Sequence, residues 1–237
     1  MDSCAAAEIR DAVNRSIGTD PVADAIVTEA IVADLLARHG EQHRRYHTAE
    51  HVMWVLRHVS RLCEIAASNG TDVDRGVIDI AALFHDAIYD PRSDSNEADS
   101  AELAAAHLRR VGWSTARIAA VEQLILATAG HAANDHAAND RAANDHAAND
   151  HAEAILLDAD LAILGAAPDE YSQYAADVRV EYAFVDDDHW RIGRCDVLTT
   201  FLDRAQIFGT RTMATEREHR ARSNLSAELA TLRSGTA

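Results

Sequence analysis

Residues 77–89 read VIDIAALFHDAIY. The stretch is apolar nearly all round, apart from Asp79 and a His85-Asp86 pair near its end. A helix with no polar face belongs in the middle of a bundle. The pattern predicts a helix over about 75–89, ended by Asp90-Pro91. A carboxylate buried inside such a helix without a partner is costly. Neighbouring helical residues diverge by about 100°, yet both can still meet one ion lying between them. A local cap or ion pair is the alternative, but the apolar flanks offer no obvious cation.

Outward from this centre the pattern is helix after helix. Residues 20–38 place Val22, Ile26, Ala30, Ala33 and Leu36 at helical spacing, and Gly40 stops them. A polar, His-rich link (EQHRRYHTAE) leads to a helix over 49–68 with Val52, Val55, Leu56, Val59 and Leu62 on one face. Asp94 and Glu97 have capping-box spacing before a helix reaching Val111. Ser114 caps the next, which ends near Gly130. Further helices are expected at 152–164, 169–184, 191–208 and 215–232. No segment has the period-2 alternation of a strand. The expected architecture is all-α, a single domain over 1–237 with its functional core at about 45–165 and C-terminal helices over 169–237.

Residues 131–150 read HAAND HAAND RAAND HAAND, a five-residue tandem repeat. Five residues turn a helix by about 500°, so the histidines would not share a face. The segment is expected to be an expanded surface loop.

Composition narrows the function. Hydrophobic residues make up 48% of the chain, enough for a sizeable core, and the sparse Gly and Pro favour helix. The formal net charge of −17 disfavours nucleic-acid polymers and anionic membranes as partners. A small phosphorylated substrate is not excluded, because a bound metal reverses the sign locally. All 22 basic residues are Arg, which rules out Schiff-base lysine chemistry. Cys4, Cys63 and Cys195 are odd in number and not at metal-ligand spacing, so a reducing, cytoplasmic setting is expected. The N-terminus has no signal-like h-region, and no apolar run is long enough to span a bilayer.

Three features carry chemistry. His47 and His51 lie four apart in YHTAEH, and His51 falls at the edge of the apolar stripe of its helix. His85-Asp86 is the second. The third is LLDADLAILG, residues 156–165, where Asp160 falls amid the face formed by Leu156, Leu157, Leu161, Ile163 and Leu164. Asp158 falls on the opposite side and is expected to be solvated or to support from behind. A buried Asp aimed into a bundle that already holds His and Asp is the pattern of a metal site in a bundle core.

In this order (His51, His85-Asp86, Asp160) the residues resemble the HD superfamily of metal-dependent phosphohydrolases. The strings Arg45–Val52, Phe84–Pro91, Asn96–Ala101 and Asp158–Gly165, with a C-terminal tract around Arg179-Val180-Glu181-Tyr182 and Arg194, are similar to an uncharacterised bacterial branch of predicted HD phosphohydrolases. The repeat departs from that pattern. The resemblance implies an HD-type helical bundle with a C-terminal helical extension, and a divalent metal held by His51, His85, Asp86 and Asp160. Mixed N/O ligation suits Mn²⁺, Fe²⁺, Ni²⁺, Co²⁺ or Zn²⁺ ahead of Mg²⁺. It implies His47 as the acid that protonates the leaving oxygen, while Asp90, one helical turn after Asp86, is a candidate to orient water. Asn96, Glu97 and His131 are candidates for a second metal or for substrate, and Arg179 and Arg194 for phosphate, although pairing with acids explains these arginines equally well. The substrate would be a nucleotide or another small phosphate ester. A di-iron oxygenase and a non-catalytic metal- or nucleotide-binding module are the alternatives.

Overall fold

The computed structural model describes residues 3–17, 23–129 and 145–235. All regular structure among them is helical, with no strand. The helices are α1 (Ser3–Ile17), α2 (Ala23–His39), α3 (Ala49–Ser68), α4 (Arg75–Phe84), α5 (Asn96–Arg110), α6 (Thr115–Thr128), α7 (Asp145–Asp160), α8 (Pro168–Glu181), α9 (Asp187–Asp203) and α10 (Arg211–Ser234). A short 3-10 helix, Leu161–Gly165, continues α7. No helix among the described residues is long and apolar enough to cross a membrane.

α4 is the central element, packing against α1, α3, α5, α6 and α7. Its residues from Val77 to Phe84 are all buried. Asp74 caps its start, accepting from the Val77 amide at 3.2 Å. The expected apolar stripe of α3 is buried, from Val52 to Leu62. α1 was not anticipated, because SCAAAEIRDAVNRSI carries few large apolar residues, yet Ile9, Ala12 and Val13 are fully buried against α2 and α4.

Three local expectations are corrected. First, the helix expected to run to Tyr89 stops at Phe84, so His85 is its cap and Asp86 lies in the turn that follows. That turn is built by hydrogen bonds from outside the segment. The buried Arg44 guanidinium donates to the carbonyls of Asp86 at 2.7 Å, Ala87 at 3.1 Å and His47 at 3.1 Å. Ser100 Oγ accepts from the Ile88 amide and donates to its carbonyl. Asn96 holds both backbone groups of Asp90 at 2.9 Å. Side chains thus take the carbonyls that a longer helix would have satisfied internally. Second, Asp94 does not cap α5. The cap position is Ser95, whose hydroxyl donates to Asp99 instead of accepting from the helix. Third, α7 starts at Asp145, earlier than the expected 152 and inside the repeat. Ala-rich sequence extends a helix already nucleated by packing at little cost. The rest of the repeat, including His131, lies outside the described residues.

The C-terminal helices close over the end of α7. α10 runs so close to the 3-10 helix that a Cβ on Gly165 would come within 2.6 Å of Arg217 Cβ. Asn224 donates to the Leu164 and Ala166 carbonyls at 2.9 and 3.1 Å. Asp158, expected on a solvated face, is 1% exposed and is the other fastening. It accepts from the amides of Gly209 and Thr210 and from the Thr210 hydroxyl, at 2.6–2.7 Å. α7 is buried on two sides, because the C-terminal extension covers the face opposite its apolar one.

Candidate metal centre

Each predicted ligand arrives by a different route. His51 is in the first turn of α3, buried at 4% exposure. His85 and Asp86 come from the end of α4 and its turn, and Asp160 is the last residue of α7. Breaking α4 at Phe84 lets two consecutive side chains converge rather than diverge along a helix. His51 Nε2 is 3.1 Å from His85 Nε2, 3.2 Å from Asp160 Oδ1 and 3.3 Å from Asp86 Oδ2. His85 Nε2 is 3.0 Å from Asp86 Oδ2 and 3.6 Å from Asp160 Oδ1. His51, His85 and Asp160 each offer a ligand atom within 4.8 Å of the others, and Asp86 brings a further oxygen to the two imidazoles.

The donor chemistry fits a divalent cation. The His85 Nδ1–H donates to the Ala82 carbonyl at 2.9 Å, which fixes the tautomer and leaves the Nε2 lone pair pointing into the cluster. His51 Nε2, 3.1 Å away, meets that lone pair either with a proton of its own or across a cation held between the two rings. Burial pulls both histidines down, yet the two carboxylates outweigh it. Asp160 and Asp86 raise His51, and Asp86 and Asp160 raise His85 well above its ordinary range. Burial pushes Asp86 up, but His85 and His47 hold it well below the carboxylate range. The pocket is therefore built around positive charge, supplied either by protons on imidazole or by a metal ion.

His47 stands beside this cluster without joining it. Its ring lies 5.7 Å from that of His51, 4.3 Å from Tyr89 and 5.0 Å from Tyr46. Its Nδ1 is 2.6 Å from Glu181 Oε2. Glu181, at the end of α8, also accepts at Oε1 from the backbone amides of Arg45, Tyr46 and His47, at 2.7–3.0 Å. Tyr89 donates its hydroxyl to Oε2 at 2.9 Å. Burial pushes Glu181 up, but the hydrogen bond and charge of His47 and the backbone amides of Arg45 and His47 hold it at about 2. The sequence reading placed no role on Glu181. Its signal was the Arg179–Tyr182 tract, which could not by itself say that a carboxylate far along the chain folds back onto YHTAEH.

Of the other candidates, Asp90, Asn96, Arg179 and Arg194 are engaged in contacts of their own. Asp90 accepts from the Arg92 amide at 2.9 Å, and Asn96 is engaged with the Asp90 backbone. Glu97 is in the first turn of α5. Arg179 donates to the carbonyls of Tyr182 and Val185 and pairs with Asp187 at 2.7 Å. Arg194 is buried in a bidentate pair with Glu228 at 2.7 and 3.0 Å, and Tyr171 donates to the same carboxylate. Both arginines are thus paired with acids. Tyr46, whose ring is 4.8 Å from His51, also lines a cavity of about 440 Å³ with Ile163 and Tyr174.

The bundle and its His-His-Asp-Asp cluster define the class: an all-α protein with two buried histidines and two partly buried carboxylates that could hold a divalent metal. The family model that matches is that of the HD domain, over residues 48–165, and the chain belongs to the HD-domain superfamily. Neither the curated proteins nor the solved structures yield a significant match. The family is generally one of metal-dependent hydrolases acting on small phosphates.

Proposed function

We propose that this protein is a metal-dependent phosphohydrolase acting on a nucleotide or another small phosphate ester. The observation that carries the reading is the convergence of four donors from three helices beside a fifth, separately anchored histidine. His51, His85, Asp86 and Asp160 would hold a divalent transition ion. When bound, it would supply Lewis acidity toward a phosphate oxygen and activate a water. Ligands of mixed N/O type favour Mn²⁺, Fe²⁺, Ni²⁺, Co²⁺ or Zn²⁺.

The chain's own residues account for the remaining steps. The water oxygen forms a bond to phosphorus as the bond to the leaving oxygen breaks, and the proton that the water sheds passes to solvent. His47, outside the ligand set and partly open to solvent, gives a proton from Nε2 to that leaving oxygen and regains one from solvent. Division of labour between cluster and rim is what the geometry supports, since Nδ1 of His47 is taken by Glu181.

The test is metal analysis of the purified protein, followed by a phosphate-release screen with that metal restored. Asp86→Ala is expected to remove metal and activity together. His47→Ala is expected to keep the metal while slowing turnover roughly 10²–10⁴-fold, the usual worth of a positioned acid. Full metal occupancy in Asp86→Ala would overturn the ligand assignment, and an emptied site in His47→Ala would overturn the separation of acid from ligands.

A further inference from the structure

Glu181 lies outside the segment that matches the HD domain, sixteen residues beyond its end at 165. It nevertheless makes five polar contacts at the rim of the centre. Three are backbone amides of consecutive residues, Arg45, Tyr46 and His47, all directed at Oε1. Two are side chains, His47 Nδ1 and the Tyr89 hydroxyl, both at Oε2. One carboxylate oxygen therefore fixes the backbone that carries His47, while the other fixes its ring. The residue is 5% exposed.

We propose that Glu181 is the positioning residue of this site, setting both the tautomer and the aim of His47. An ionised carboxylate can only accept, so the 2.6 Å contact requires a proton on His47 Nδ1. Any further proton on the ring must then be on Nε2, the nitrogen left for substrate. The Tyr89 ring at 4.3 Å closes one face of the imidazole and prevents it from turning away. Tyr89 serves a second purpose, because its hydroxyl donates to the same Oε2 and limits how far the carboxylate can rotate. The reacting group thus stands one residue before the matched HD segment, and its orientation comes from the C-terminal extension. This inference rests on His47 acting as the acid for its catalytic meaning, but not for its structural content.

Glu181→Gln tests it. The amide oxygen can still take the three backbone amides, which turns the amide NH₂ toward His47 and demands an unprotonated Nδ1. Nitrogen-15 correlation spectra of the full-length protein should show His47 protonated at Nδ1 in the parent and at Nε2 in Glu181→Gln. Turnover of the Mn²⁺-loaded protein is then compared on aryl phosphodiesters, one releasing p-nitrophenolate and one releasing the more basic phenolate. Loss of a correctly aimed acid should slow the phenyl ester at least tenfold more than the nitrophenyl ester, with KM little changed. His47→Ala should show the same bias, and the double variant should be no slower than His47→Ala alone. An unchanged tautomer, or equal slowing of both esters while His47→Ala keeps its bias, overturns the proposal. A switched tautomer with no leaving-group bias in His47→Ala sinks the acid role of His47 instead. Should Glu181→Gln fail to fold, the parent alone suffices: absence of a downfield Nδ1 proton assigned by its loss in His47→Ala would refute the contact.

Discussion

Arg44 offers the most exposed test of how the His85-Asp86 turn is built. Replacing it with Met keeps the aliphatic length and removes the guanidinium. Three carbonyls, those of His47, Asp86 and Ala87, then lose their donor, as does Glu41, which Arg44 meets at 3.0 Å. Glu41 is exposed and recovers its bonding from water. The carbonyls sit where the Arg44 side chain was fully buried, and each orphaned acceptor costs about 1–3 kcal/mol. Water admitted into the gap offsets part of this, so the low half of the range applies and the sum is about 3–6 kcal/mol. For a chain of this size that corresponds to a fall in Tm of roughly 6–24 °C. The measurement is thermal unfolding of chelated protein, so that metal binding does not enter, followed by Mn²⁺ titration calorimetry at a temperature where the variant is folded. Metal affinity should also fall, because Asp86 is aimed by the turn that Arg44 holds. Arg44→Lys should recover only part of either quantity, since an ammonium cannot span three acceptors set apart in a fork. If Arg44→Met melted within about 2 °C of the parent and bound Mn²⁺ as tightly, the claim that this guanidinium builds the turn would be wrong.

Two further outcomes concern carboxylates. Glu181 is held at about 2 in the folded chain, below the 4.5 of an unperturbed Glu. The stability it contributes is therefore present above about pH 4.5 and lost as pH falls toward 2, an amount on the order of 3 kcal/mol. Unfolding midpoints measured between pH 5 and pH 2 should fall less steeply in Glu181→Gln than in the parent, and parallel slopes would contradict the assignment. Asp158→Ala should leave the Gly209 and Thr210 amides without their acceptor and cost about 2–4 kcal/mol. Limited proteolysis should then cut first between α9 and α10, whereas an unchanged cleavage pattern would show that the fastening is dispensable.

The helical class and the convergence of His51, His85, Asp86 and Asp160 were legible because both depend on pattern along the chain. An all-round apolar segment has to be central, and His51, His85, Asp86 and Asp160 are the polar residues that such packing cannot bury unaided. What escaped was decided by partners distant in sequence. α4 ends at Phe84 because Arg44 and Ser100 take over the backbone bonds beyond it, and no local propensity encodes that. Asp158 looked solvated because the cover supplied by the loop before α10 comes some fifty residues later. Glu181 stayed unassigned for the same reason, its five contacts all being more than ninety residues away.

α7 ends with two carboxylates that face different neighbours. Asp158 grips the loop leading into α10, and Asp160 two residues on turns to the histidines. The rotational phase of this helix is therefore locked at its C-terminal end, downstream of the HAAND units that lead into it. Adding or deleting a whole unit rotates nothing past that lock. Tandem repeats are the sequences most prone to change copy number during DNA replication, and here such a change would meet a ratchet. Removing one whole unit is expected to leave the distance from Asp160 to His51 and His85, and with it the affinity for Mn²⁺, unchanged, which titration calorimetry of the shortened protein would check.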